Sequence, residues 1–170
     1  MPSCPCFRQY QAFFSISRNT DQIRYGDLLL MKAEALIELN RLGEALPIIN
    51  AFRERAGNAA SASRLLFADG SPTGKWNVGT YSDLGSQDNA RKILRWERRL
   101  ELAFESKRFF DLVRWGIAEE TINAYFDKEK TRRDYLIDAH FTPGRDEYLA
   151  IPQQQITISR GLYVQNPGYN

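Results

Sequence analysis

From about Asp21 onward, apolar residues recur every third or fourth position, the period of a helix with one buried face. Leu28, Leu29, Met31, Ala35, Leu36 and Leu39 fall on one broad apolar face of a first helix. Asn40 and Gly43 bracket a short connection. A second helix follows, with Ala45, Leu46, Ile49, Phe52 and Ala56 inward. Gly57 is its expected end, because glycine adopts the left-handed C-cap conformation without a Cβ penalty. A third helix is expected from about Asp88 to Phe104, a fourth from about Lys107 to Gly116, and a fifth from Ala118 to Asp127. The run KEKTRRD then reads as a solvated surface segment. From Phe141 the chain reads as an irregular tail, with turn signals at Pro143-Gly144, Ile151-Pro152 and Asn166-Pro167-Gly168. Pro presets the first central dihedral of a type II turn and Gly accepts the positive second one.

The stretch between the second and third helices has a different character. Residues 58–89 are rich in Ser, Gly, Asp and Asn, with Pro72 and Gly74 marking a turn. This is a long loop insertion, and long ordered loops in compact domains often carry function. Residues 1–22 show no clear pattern. Tyr10, Phe13, Phe14 and Ile16 read either as a short strand or as the remnant of a larger core. The expected organisation is therefore a poorly defined segment 1–22 followed by a helical domain 23–170.

In the first two helices, the small residues Ala33 and Ala45 stand twelve apart. That spacing suits a tetratricopeptide-like pair, in which small residues let antiparallel helices approach closely. A plain helical hairpin is the simpler reading of the same segment. Repeat units of this kind are stable when stacked in threes or more, and no second copy is found. Either neighbouring helices lie outside this chain, or the later helices cover the pair. The expected fold is mainly α: a tetratricopeptide-like hairpin, further packed helices and a long irregular C-terminal tail. Apolar surface on the first two helices is expected to stand exposed.

Composition narrows the function classes. With 43% hydrophobic residues in 170, the chain can bury a core and make up one domain or part of a larger one. A formal charge of +2 without a basic block argues against nucleic-acid binding. Nothing approaches the ~18 apolar residues needed to span a bilayer. Met1 to Cys6 show no basic region followed by an apolar one, so no export signal is expected within this segment. Cys4 and Cys6 with the single His140 fall short of the four ligands of a structural zinc site, and no metal or other cofactor is expected.

Glu97, Glu101 and Glu105 lie four apart on the third helix, interleaved with Arg95, Arg98 and Arg99. A glycosidase needs two carboxylates facing each other across a substrate. A ladder on one helix reads instead as surface or partly buried ion pairs. There is no nucleophile elbow and no Gly-rich phosphate loop, so an enzyme is not expected.

The segment WERRLELAFESKRFFDLVRWG resembles the signature of the SusD/RagB family. Its matching positions are Glu97, Arg98, Arg99, Glu101, Leu102, Ala103, Phe104 and Glu105, then Arg108, Phe110, Asp111, Leu112, Arg114, Trp115 and Gly116. Upstream, Arg24, Asp27, Leu29, Leu30, Met31, Ala33, Glu34 and Ala35 resemble the family's first-helix block, with Gly26 where Ala is more usual. Downstream, AIPQQQI carries Gln155 where Glu is usual, and YVQNPGY is a typical finish. Four blocks in order, from Ile23 to the C-terminus, make the match specific.

The resemblance implies a non-enzymatic binding subunit on the outer face of a bacterial outer membrane. It would hold a glycan or other oligomeric nutrient and pass it to a TonB-dependent SusC-like transporter. It also implies a lipoprotein longer than this chain, of which this is the C-terminal part, and neither Cys4 nor Cys6 follows a lipobox-like stretch. Arg108, Asp111 and Arg114 would bridge the fourth helix to its neighbours, while Phe110 and Trp115 would bring apolar area to the core. Ligand contact would fall to exposed aromatics among polar groups, because the apolar face of a pyranose packs on an aromatic ring. The candidates are Trp76 and Tyr81, with Asn77 and Asp83 beside them. In the plainer reading, the two rings pin the loop to the core. The alternative function is a tetratricopeptide-like module that binds another protein and no sugar.

Overall fold

The computed structural model describes residues 23–57, 66–71, 73–74 and 77–169. The expectations for residues 1–22, including Cys4 and Cys6, and for Trp76 fall outside these. The described chain is mainly helical: α1 (Tyr25–Glu38), α2 (Leu42–Gly57), α3 (Gln87–Glu101), α4 (Arg108–Arg114), α5 (Ala118–Glu129), a 3-10 turn (Asp134–Leu136) and α6 (Gln153–Ile158). It forms two compact units, Met1–Glu101 and Leu102–Asn170.

In the first unit, α1 packs on both α2 and α3. Leu30, Ala33, Leu36 and Ile37 of α1 meet Ala45, Ile49 and Phe52 of α2, and Leu84, Ala90 and Leu94 close the core. Ala33 and Ala45 are both fully buried, as close helix approach requires. The helix α3 supplies the covering layer that a lone hairpin lacks. The buried face of α1 is only partly the one expected: Leu36 is buried, but Leu28, Met31, Ala35 and Leu39 are exposed, while Leu30 and Ile37 turn inward. The run LLLM is apolar on several sides, so its periodicity defines no single face; the partners on α2 and α3 choose it. Ala56 of α2 is likewise exposed.

Local chemistry sets the helix ends. After α1, Asn40 takes a positive φ of 56°. The Arg41 N–H donates to the Leu36 carbonyl at 2.8 Å and the Asn40 N–H to that of Ile37 at 2.9 Å. This is a Schellman closure with Asn in the glycine position. The same closure ends α4, where Gly116 has φ 67° and the Ile117 N–H reaches the Leu112 carbonyl at 3.1 Å. Ile117 and Leu112 then pack in the same small core, the apolar contact that accompanies this motif.

The third helix stops at Glu101, short of the expected Phe104. The Glu101 carbonyl accepts a hydrogen bond from Arg24 Nη2. Within a helix that carbonyl would take the Glu105 N–H, which instead donates to Leu102 at 3.2 Å. Phe104 and Ser106 follow with positive φ, and Phe104 stands fully in solvent.

The second unit centres on Leu112, Ala118 and Phe141, with Val113, Ile117, Ile122 and Phe126 against them. Phe110, expected in the core, is 67% exposed and meets Phe109 edge-on at 5.9 Å. The tail is less irregular than its turn signals suggest. Pro152 precedes α6, and the glutamines after it are good helix formers.

Irregular segments are fastened by side-chain amides that mimic a backbone pair. Asn50 donates to the Tyr81 carbonyl and accepts the Tyr81 N–H, both at 2.9 Å. Asn123 does the same to Phe141 at 3.1 and 2.8 Å. Gln165 does it to Ile151 at 2.9 and 2.8 Å. Each clamp satisfies a loop N–H and C=O that would otherwise need water or a strand partner.

Gly116→Ala puts a Cβ into the left-handed region and is expected to cost about 1–2 kcal/mol. Gly43→Ala, in open helical space, should instead be neutral or gain up to ~1 kcal/mol. Thermal unfolding of the two variants checks this pair.

Candidate functional site

One face of α3 carries the charges that hold the first unit together. Arg98 and Asp27 lie 3.0 Å apart, each with only 2% of its side chain exposed. Asp27 sits in the first turn of α1 and Arg98 in the last turn of α3. Each charge is therefore at the helix end whose dipole favours it. Glu97 pairs with Arg53 of α2. Glu101 takes Arg24 Nη1 on one oxygen at 2.7 Å and Arg55 on the other. The expected pairs along α3 thus give way to pairs between helices. Arg99 points elsewhere, its guanidinium 5.3 Å from the Trp96 ring centre. Glu97 and Glu101 are each engaged by guanidinium, and they serve as anchors between helices, not as an acid and base across a substrate.

Exposed pairs add little. Arg91 joins Glu38 of α1 at 2.6 Å and Asp88 at 2.7 Å. The hydrogen bond from Arg91 holds the Glu38 carboxyl below its usual range. Its contribution is present above the ordinary carboxylate pKa and fades as pH falls through the lowered one. Glu38 is half exposed, and solvent screening keeps the effect below about 1 kcal/mol.

The loop candidates divide. Tyr81 is half-buried against the core, its backbone clamped by Asn50 and its ring 4.4 Å below the Arg53 guanidinium. Arg53 also donates to the Gly79 carbonyl. Asn77 is exposed. Asp83 is exposed too, and its carboxylate accepts the Gly85 N–H at 2.8 Å and the Ser82 hydroxyl at 3.3 Å. Trp76 lies outside the described residues.

In the second unit, Arg114 bonds Asp111 within α4 at 2.9 Å and stacks 4.9 Å from the Trp115 ring, which Arg108 also approaches at 5.9 Å. The QNPGY finish folds back on the preceding loop. Asn166 donates to the Leu149 carbonyl at 2.6 Å, and the Tyr169 hydroxyl to that of Tyr148 at 2.9 Å. Gly168 has φ 79°, and a Cβ there would come within 2.9 Å of the Arg145 side chain, so the motif's glycine is required twice over.

A cleft of about 360 Å³ opens between the first turn of α1 and the C-terminal half of α2. Leu29 and Phe52 line it, Tyr25 stands at its side, and Arg24 and Arg55 rim it. Sequence reasoning singled out neither Arg55 nor Arg53. Their partners are 46 and 44 residues away, and no local spacing marks them. Among the described residues, no group of three or more His, Cys, Asp or Glu is placed to hold a metal ion. No described helix is long and apolar enough to cross a membrane.

A two-helix repeat-like pair, locked to a third helix by inter-helix ion pairs and followed by a small helical unit, defines an α-helical scaffold of tetratricopeptide-like type. The model of the SusD family matches residues 14–169, and the chain belongs to that family. It is 30% identical over 154 residues to SusD-like protein P2 of Formosa agariphila, covering 90% of this chain and 26% of the relative. SusD-like protein P38 of the same organism is 36% identical over 102 residues, covering 58% of this chain and 17% of the relative. The chain therefore spans about a quarter or less of the length of these curated relatives. A crystal structure of a SusD homolog from Bacteroides thetaiotaomicron superposes with a TM-score of 0.64 at 27% identity, over 94% of this chain and 30% of that one. A SusD superfamily protein from Bacteroides vulgatus gives 0.63 at 26% identity, over 87% of this chain and 27% of that one.

Arg98→Ala leaves the Asp27 carboxylate buried without its partner and is expected to destabilise the first unit by about 3–5 kcal/mol. The double replacement Asp27→Leu, Arg98→Met removes both charges and should recover most of that loss. Urea denaturation of the single and double variants measures the difference.

Proposed function

We propose that this chain is the C-terminal part of a non-catalytic nutrient-binding subunit at the outer face of a bacterial outer membrane. In this reading the whole protein is a lipoprotein that binds a glycan or other oligomeric nutrient and delivers it to a TonB-dependent SusC-like transporter. Residues 23–170 form its helical C-terminal domain. Family membership over residues 14–169 carries the reading. The ion pairs agree with it: Glu97, Glu101 and Asp111 are each held by arginine, as suits a scaffold that positions a binding surface.

Ligand contact is assigned to the loop that ends at α3. Asn77 and Asp83 offer polar groups to solvent there, and Tyr81 fixes the loop from beneath. Trp76 would supply the ring on which a pyranose face packs. A second reading, a protein-contact module, is favoured by one observation: Leu28, Met31 and Leu39 leave an apolar stripe of α1 exposed.

A glycan array comparing the chain with a Trp76→Ala, Asn77→Ala variant tests the loop. Binding is expected to weaken tenfold or more, about 1.4 kcal/mol, with the circular dichroism spectrum unchanged. Equal binding by both moves the sugar site off the loop. The bound glycan is expected to stay intact by reducing-end assay. Hydrolysis that disappears in a folded Asp111→Asn variant would overturn the non-catalytic reading.

A further inference from the structure

The cleft between α1 and α2 joins an apolar lining to the arginines that lock the scaffold. Its interior is apolar, with Phe52 and Leu29 at the base and the ring of Tyr25, 74% exposed, at the side. Its rim is cationic. Arg24 and Arg55 share the single carboxylate of Glu101, one oxygen each. Arg55 is 56% exposed, spends one nitrogen on Glu101 and lies 5.6 Å from the Phe52 ring centre, which leaves other donors of its five-donor fork for a ligand. The positive end of the α1 dipole lies at the same place. Arg24, the residue at its N-cap position, makes no side-chain cap bond, since a guanidinium offers no acceptor, and its head goes to Glu101.

Gly26 shapes the site. A Cβ at this position would stand 2.6 Å from Arg24 Nη1 and 3.3 Å from the Phe52 ring. Glycine therefore lets the Arg24 head fold down over the helix beside the Phe52 ring. Glycine inside a helix costs about 1 kcal/mol relative to alanine, and the local gain here is an open cleft with a fixed guanidinium at its mouth.

We propose that this cleft is a subsite for an acidic sugar unit, a pyranose bearing a carboxylate or a sulfate ester. The ring face packs on the exposed Tyr25 beside the apolar lining of the cleft, and the anion is met by the Arg55 fork, whose planar geometry suits a two-oxygen anion. Glu101 holds both arginine heads in place before the ligand arrives. The proposal rests on the glycan-binding reading above and names the class of glycan.

The test is a calorimetric titration of the full chain at low salt with oligogalacturonate, a sulfated galacto-oligosaccharide and the neutral galacto-oligosaccharide of equal length. It is repeated with Arg55→Gln, Arg55→Lys and Tyr25→Ala, each checked for folding by circular dichroism. The expected result is binding of an acidic probe that weakens at least tenfold in Arg55→Gln and several-fold in Tyr25→Ala. Arg55→Lys should recover part of it, and added salt should weaken it. Which acidic probe binds assigns the anion. Acidic binding that is indifferent to Arg55 and Tyr25, or binding of the neutral probe alone, overturns the cleft and leaves the glycan reading standing. Failure of all three probes here and of every glycan on the array overturns both.

Discussion

The buried pair between Asp27 and Arg98 is the constraint on which the first unit depends. Both side chains are almost wholly out of water, where neither charge is tolerable alone. An apolar core of ten buried residues supplies the bulk of the attraction between the three helices, but leucines and alanines fit together in more than one register. A shift of either helix that parted Asp27 from Arg98 would leave a buried charge alone, which is strongly unfavourable. The pair ties the first turn of α1 to the last turn of α3, and Glu97 and Glu101 on the same side of α3 tie it to Arg53, Arg24 and Arg55. This arrangement also explains why the hairpin needs no stacked repeat within the first unit. The layer that a neighbouring repeat would supply comes from α3, fastened by charge as well as by packing.

A second device serves the parts of the chain that make no regular structure. Asn50, Asn123 and Gln165 each bond both the N–H and the C=O of one loop residue. Such a clamp gives a loop the two hydrogen bonds of a strand pair without requiring a strand. The loop candidates for ligand contact depend on one of them, since the Asn50 clamp and the Arg53 guanidinium together set where Tyr81 lies and hence where Asn77 and Asp83 face solvent.

The same arginines that lock the scaffold define the cleft beside it. Glu101 is the shared element. It accepts Arg24 and Arg55 through its carboxylate, and its carbonyl accepts a second bond from Arg24. Scaffold and candidate subsite are thus one charge network seen from two sides: the buried side specifies helix register and the solvent side presents donors. Polar groups held rigid before a ligand arrives lose little entropy on binding.

The helical class, the tetratricopeptide-like pair, the family and the motif positions were all legible in the sequence. They rest on patterns local to a few turns: apolar period, small residues at Ala33 and Ala45, and turn chemistry at Asn40, Gly116 and Gly168. The tertiary structure decided what those positions touch. It chose Leu30 and Ile37 over Leu28, Met31 and Leu39 for the buried face of α1, because the LLLM run offers apolar atoms on several sides. It sent Glu97 and Glu101 to arginines 44, 46 and 77 residues away, where spacing along α3 suggested partners four apart. It ended α3 three residues early, at Glu101, and it left Phe110 in solvent. Local backbone preference acts within a turn or two and can be read from neighbours. The partner of a buried charge is set by which helices meet in space, and no residue spacing records that.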